Sequence, residues 1–162
     1  MIAIAGPPCS GKSTIAAAAA RRLGIPHLSM DATRQRILPG AAHTRADRQA
    51  AYRAMLLAAE LLCAAGAGVI LDAPYGHEED RRELAAVDPV WIECRVSPEE
   101  AVRRLGERGF DPQRPDLTAE IVGLAAAEYR YQSGRVLDTE ALSTEECVER
   151  VIAWARGPGG VS

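Results

Sequence analysis

The sequence predicts a three-layer α/β domain, with helices packed on both faces of a parallel sheet. Three observations carry the prediction. Short apolar runs alternate with helical stretches five times along the chain, the pattern of successive β-α units. The first run, Ile2 to Ala5, leads into Gly6-Pro7-Pro8-Cys9-Ser10-Gly11-Lys12-Ser13-Thr14. That segment fits G-x-x-x-x-G-K-S/T in the strand–loop–helix setting the motif requires. The 162 residues, 48% of them hydrophobic, suffice for one compact domain. It is expected over residues 1–156, with 157–162 a frayed tail.

The elements follow in order. The helix after the motif runs from about Lys12 to Arg22, favoured by Ala16 to Ala20 and stopped by Gly24. Pro26 to Met30 reads as a short second strand. Asp31 follows it and looks like the N-cap of a helix over Ala32 to Leu38. Pro39-Gly40 breaks the chain. A long helix runs from about Arg45 to Ala65, with Ala51, Met55, Ala58, Leu62 and Ala65 on its apolar stripe. Val69 to Asp72 is an apolar strand ending in an acid. A loop with Pro74 and Gly76 leads to a helix from about Glu79 to Ala86. Val90 to Val96 is the next strand, rich in β-favouring residues. Ser97-Pro98 opens a helix carrying Arg103, Arg104 and Arg108. A loop holding Arg114 precedes a helix over Leu117 to Arg130, with Ile121, Leu124 and Ala125 as buried positions. Gly134 to Thr139 is the last strand and turn. Ser143 with Glu146 forms a capping box for a final helix to about Arg156.

The motif carries the clearest chemistry. Gly6 and Gly11 let the backbone turn its N–H groups around an anion, and the following helix points its positive end at the same place. Gly6, Pro7, Cys9, Ser10, Gly11, Lys12, Ser13 and Thr14 are therefore expected to bind nucleotide phosphates. Lys12 suits the β- and γ-phosphates and the Ser13 hydroxyl suits Mg²⁺. Lys12 is the only lysine in the chain, every other basic residue being arginine or histidine. Asp72, at the end of its strand, fits a carboxylate aimed at metal-bound water or at the phosphates; a turn-forming Asp is the alternative. Asp31 is either a plain cap or a carboxylate that takes a proton from an attacking hydroxyl, and both can hold. Arg104 and Arg108, four apart on one helix face, suit a lid over phosphates; on pattern alone a solvated face paired with Glu100 and Glu107 is favoured. Cys9 reads as a small loop residue before an oxidisable one.

Composition excludes other classes. A net charge of −3 leaves no overall attraction for nucleic acid, so such a contact needs a local arginine cleft. No stretch of about 18 apolar residues is present to span a membrane, and the first residues do not read as a signal peptide. The four cysteines are widely spaced and suggest neither zinc nor a disulfide framework, so a reduced cytoplasm is expected. Oligomeric state is open.

With these residues in place, nearly the whole chain resembles the small AAA-type P-loop kinases, the group of zeta-toxin-like, polynucleotide 5′-kinase-like and gluconate-kinase-like proteins. Gly6 to Thr14 matches their P-loop. Leu28-Ser29-Met30-Asp31-Ala32-Thr33-Arg34 is similar to their LS-x-D-x-x-R segment, Val69 to Ala73 to their VI-x-DA strand, and Val96 to Arg108 to their lid segment. The resemblance implies an adenylate-kinase-like core: a five-stranded parallel sheet ordered 2-3-1-4-5 with an arginine-bearing lid helix. It implies Asp31 as general base and Arg34 as a substrate contact. Arg104 and Arg108 fall over the ATP phosphates, and Arg81 where the family carries an arginine after the third strand, so that Arg34, Asp72 and Arg81 are the expected substrate contacts. The chain lacks the extra length of zeta toxins and the phosphatase domain of bifunctional end-healing enzymes.

The expected activity is ATP-dependent phosphoryl transfer, with ATP and Mg²⁺, to the hydroxyl of a small molecule: a sugar, nucleoside or antibiotic-like alcohol. A polynucleotide 5′-kinase is the first alternative and predicts a basic groove near Arg34, Arg36, Arg45 and Arg48. An ATP-dependent switch that hydrolyses slowly is the second. A carboxylate at position 31 without a charge-neutralising neighbour favours transfer over the switch.

Overall fold

The structure, a computed structural model, describes residues 1–40, 44–109, 111 and 114–157. Most of the tail expected at 157–162 lies outside these residues. Five strands and seven helices follow one another: β1 (Ile2–Ala5), α1 (Lys12–Leu23), β2 (His27–Ser29), α2 (Met30–Ile37), α3 (Arg45–Ala64), β3 (Ile70–Asp72), α4 (Glu78–Ala85), β4 (Val90–Arg95), α5 (Pro98–Arg108), α6 (Ala119–Glu128), β5 (Val136–Asp138) and α7 (Thr144–Arg156). The sheet is parallel throughout, with order β2-β3-β1-β4-β5, as the resemblance implied.

The central strand explains the layering. Successive side chains of β1 point to opposite faces. Ile2 and Ile4 enter one core with Ile15, Ala16 and Ala19 of α1 and Val148 and Val151 of α7. Ala3 and Ala5 enter the other with Ala51, Met55 and Ala59 of α3 and Leu84 of α4. Each fully buried Ile or Leu contributes about 1.5–3 kcal/mol. A third, smaller cluster of Val96, Ala101, Val122 and Ala126 joins α5 to α6 beside the sheet. This central strand ends at Gly6, so the phosphate loop sits at the carboxyl edge of the sheet between β3 and β4, where α/β sheets bind ligands.

Local signals set most element ends. Gly24 caps α1 in the left-handed conformation, and Ser143 and Glu146 form the expected capping box on α7. Three details differ. On α3 the buried face is Ala51, Tyr52, Met55 and Ala59, while Ala65 is exposed. On α6 Val122 and Ala126 are buried and Ile121 and Leu124 are exposed, one residue away from the expected face. That helix has apolar residues on every side, so only its packing on α5 selects the face. And α2 starts at Met30 with Ser29 as N-cap, which puts Asp31 inside the first turn and not at the cap.

Candidate active site

The phosphate loop is held open by conformations few residues adopt. Gly6 has φ 150°, and a Cβ there would lie 2.7 Å from Ser10 Oγ and 2.8 Å from the Cys94 carbonyl oxygen. Gly11, the N-cap of α1, has φ 80°. Cys9 between them has φ 62°, a left-handed conformation that is costly for a residue with a side chain. Lys12 leans back along the loop, its Nζ donating to the Pro7 carbonyl oxygen at 3.3 Å.

Residues from four distant segments close a cleft of about 260 Å³ around this loop. Cys9, Gly11, Lys12, Ser13 and Thr14 form its floor, and Asp31, Arg104, Arg108 and Arg114 its walls. Gly6, Pro7 and Ser10 are buried beneath. Burial pushes the Cys9 thiol above its ordinary value against the pull of Lys12, Arg108, Arg104 and Arg114. The thiol therefore stays protonated at neutral pH and is a poor nucleophile. Four cations converging on one loop create a field suited to a polyanion.

The arginines are held differently. Arg104 stands over Gly11 and donates to the Thr139 carbonyl oxygen (2.7 Å), Thr139 Oγ1 (3.0 Å), Cys9 O (3.4 Å) and Glu100 Oε1 (2.8 Å). It thus locks α5 to the loop after β5 and to the phosphate loop. Arg108 is more exposed and pairs with Asp111 at 2.6 Å. Glu100 does pair within its helix, but with Arg103 and Arg104, while Glu107 takes Arg103 only. The pattern-based reading of a solvated basic face therefore holds for Arg103, and Arg104 leaves it to reach the cleft.

Hydrogen bonds from Arg103 and Arg104 hold the Glu100 carboxyl at about 2, against an ordinary 4.5. Because the folded value is the lower one, the contribution of this pairing is fully present above pH about 4.5 and is lost as pH falls towards 2. An NMR titration of the Glu100 side chain is expected to show a midpoint near 2. A midpoint near 4.5 would mean the clamp on Arg104 does not persist in solution.

Asp31 is not free of a neutralising neighbour, contrary to the expectation. Its Oδ2 accepts from Arg114 Nη1 at 2.5 Å. Arg114 also binds Asp116 through Nε (3.0 Å) and Nη2 (3.2 Å). Burial works against its charge, but Asp116 and Asp31 outweigh that and raise its pKa. Sequence reasoning assigned Arg114 no role. It stands 83 residues from Asp31, and no local pattern marks such a partner.

The three expected substrate contacts are placed elsewhere. Arg34 is buried in α2 and is not in the cleft lining. Arg81 is interior: it donates to the Tyr75 carbonyl oxygen and to Arg130 O (2.7 Å) and lies 5.0 Å from the Tyr129 ring centroid. Beside it Glu93, fully buried in β4, accepts from the Gln132 and Ser133 N–H groups at 2.7 and 2.6 Å. Arg81 and Glu93 fasten the segment before β5 and are unavailable to a substrate.

Asp72 is also buried, 2% exposed, outside the cleft lining, and neither carboxylate oxygen has a hydrogen-bond partner. His27 Nε2 approaches Oδ2 to 3.4 Å but without hydrogen-bond geometry. An orphaned buried carboxylate is costly unless something pairs with it. Among the described residues no cluster of three or more His, Cys, Asp or Glu could hold a metal alone. Ser13, in the cleft floor, suits a hydrated Mg²⁺ shared with phosphates, and the unpartnered carboxylate of Asp72 suits a role through that ion's water shell.

A second cavity, of about 380 Å³, adjoins the cleft, sharing Pro8, Pro74, Arg114 and Leu117 with it. Arg45, Arg48, Tyr52, Asp80 and Tyr129 are in its walls. Of the four arginines expected to line a groove for a nucleic-acid end, Arg36 is exposed on α2 and Arg45 and Arg48 line this cavity, each paired with an acid. Arg34 is buried, Arg45 grips Asp80 with two bonds of 2.9 Å, and Arg48 pairs with Asp116 at 3.3 Å. No helix among the described residues is long and apolar enough to cross a membrane.

Comparison with known proteins bears on the family and the fold. Residues 1–131 match the sequence profile of a family described as an AAA domain. An uncharacterized protein of Mycobacterium tuberculosis is 31% identical over 155 residues, covering 84% of this chain. The chain spans only 31% of that relative's length. Among solved structures, a sugar kinase from Janibacter sp. superposes with TM-score 0.72 at 20% identity, over 94% of this chain and 92% of that one. The Mycobacterium tuberculosis APS kinase in complex with AMPPNP and APS gives 0.69 at 23% identity, over 94% and 96%. At such identities the likeness is one of fold.

Proposed function

The chain belongs to this AAA-domain family, and on that premise we propose that it is a small P-loop kinase that transfers the γ-phosphate of ATP to the hydroxyl of a small molecule. The observation that carries the reading is the meeting of the phosphate loop, three arginines and Asp31 around one cleft, which a second cavity adjoins at Pro8, Pro74, Arg114 and Leu117. Residues 1–156 form the catalytic unit in this reading.

Each residue has a task. The loop N–H groups and Lys12 bind the β- and γ-phosphates. Ser13 would hold Mg²⁺, with Asp72 supporting its water shell, and the ion when bound supplies charge neutralisation on the phosphate oxygens. Arg104 and Arg108 stabilise charge on the phosphoryl group in flight. Asp31 takes the proton of the acceptor hydroxyl as its oxygen bonds to the terminal phosphorus; the bond to the bridging oxygen breaks and ADP leaves. Arg114, paired with Asp31, positions that carboxylate. One oxygen of Asp31 carries the bond to Arg114, which leaves the other for the acceptor.

The test is transfer from γ-labelled ATP with Mg²⁺ to a panel of hydroxyl compounds. Label is expected in a phosphomonoester product. If no compound takes label faster than water does, the chain is a slow hydrolytic switch and this proposal fails.

A further inference from the structure

The second cavity has a charge pattern that selects among acceptors. This inference rests on the phosphotransferase reading and concerns only its acceptor. Met30 and Arg114, the chain neighbour and the ion-pair partner of Asp31, are both in the cavity wall. Asp31 itself lines the adjoining cleft, so a molecule that fills both spaces can bring a hydroxyl to that carboxylate.

Three arginines and three carboxylates line the cavity: Arg45, Arg48 and Arg114 with Asp80, Asp116 and Glu128. Every arginine is committed. Arg45 holds Asp80 by two bonds and Glu79 by a third. The Asp80 side chain is 3% exposed, so diverting Arg45 to an anionic ligand strands a buried charge. Arg48 holds Asp116, and Arg114 is shared between Asp116 and Asp31. Glu128, at the end of α6, is different. It is exposed and makes no hydrogen bond or ion pair with any described residue. Among the described residues, the one charge in this wall left without a partner is therefore negative. One wall is apolar: Leu117, Ala125 and the half-exposed Ile121 face the same space.

We infer that the acceptor is an amino-bearing polyol, a molecule of about monosaccharide size. Its ammonium group meets Glu128, its apolar edge lies on Leu117 and Ile121, and its hydroxyl reaches Asp31. Among the described residues, carboxylate and phosphate acceptors find every arginine of this wall already paired with an acid, and they meet the unpaired Glu128.

Three hexose derivatives matched in size separate the possibilities: D-glucosamine, D-glucose and D-gluconate. Initial rates of phosphate transfer are measured for each, with ATP affinity measured separately by fluorescence of a labelled nucleotide. Glucosamine is expected to exceed gluconate in kcat/KM by about ten-fold or more. In Glu128→Gln the preference for glucosamine over glucose is expected to shrink about five-fold, the scale of a solvent-exposed charge pair. Gluconate at or above glucosamine, or a preference unmoved in Glu128→Gln, overturns the amino-polyol assignment while leaving phosphoryl transfer intact. A chain that binds no ATP overturns the reading beneath it as well.

Discussion

Lys12→Ala is expected to lower phosphoryl transfer by at least about 10³-fold with little change in melting temperature. The residue is half-buried at the mouth of α1, and its ammonium group makes only a 3.3 Å hydrogen bond to its own loop, at Pro7. Such a bond adds little to folding and is readily exchanged for phosphate oxygens. The charge matters because the phosphates give up part of their water in the cleft, and the ammonium group, with the loop N–H groups, takes its place. Arginine is not a substitute: its planar fork cannot follow the turn of the loop as a point charge on a flexible stem does. Lys12→Arg is therefore expected to fail as well. Steady-state rates beside a thermal melt check this. A folded Lys12→Ala protein within ten-fold of the parent would remove the phosphate loop from the mechanism.

Asp31→Asn is expected to reduce kcat by about 10² to 10⁴-fold, the range of general base catalysis, with ATP affinity nearly unchanged. The substitution keeps the shape of the side chain and its place in the first turn of α2. It removes the proton acceptor and the charge that Arg114 holds at 2.5 Å. Arg114 keeps Asp116 through two nitrogens, so it is not set adrift and the loop around it should stay in place. Nucleotide binding then serves as the internal control, because the loop and Lys12 are untouched. Transfer surviving within a few-fold, with ATP still bound, would show that Asp31 only orients Arg114.

The two variants probe residues of different legibility. Lys12 lies in a contiguous run whose glycines, lysine and hydroxyls each have a spacing-defined task. Asp31 was visible as an acid after a short strand, open to reading as a cap, as a proton acceptor or as both. The cap is Ser29, because the helix begins earlier than its apolar pattern suggests. Arg81 shows the opposite error. Its position after β3 suggested a ligand contact, yet it is spent on the Tyr75 and Arg130 carbonyls and beside Glu93. Nothing near Arg81 in the chain marks Glu93 as its neighbour, since β4 reaches it only when the sheet assembles. On α6 the burial pattern slipped by one residue, because a helix with Ile121, Val122, Leu124 and Ala125 in near succession offers no single stripe.

By itself the sequence determined whatever depends on neighbours along the chain: the alternation of strands and helices, the glycine-bent anion loop, the capping boxes, and the lone lysine poised at a helix start. The tertiary structure alone decided which arginines face the cleft and which are spent inside. It brought Arg114 to Asp31 across 83 residues and Arg104 to Cys9 across 95. The physical reason is range. Backbone hydrogen bonding and turn conformation are set within a few residues, whereas the partner of a long charged side chain depends on strand order and helix packing, which only the folded chain supplies.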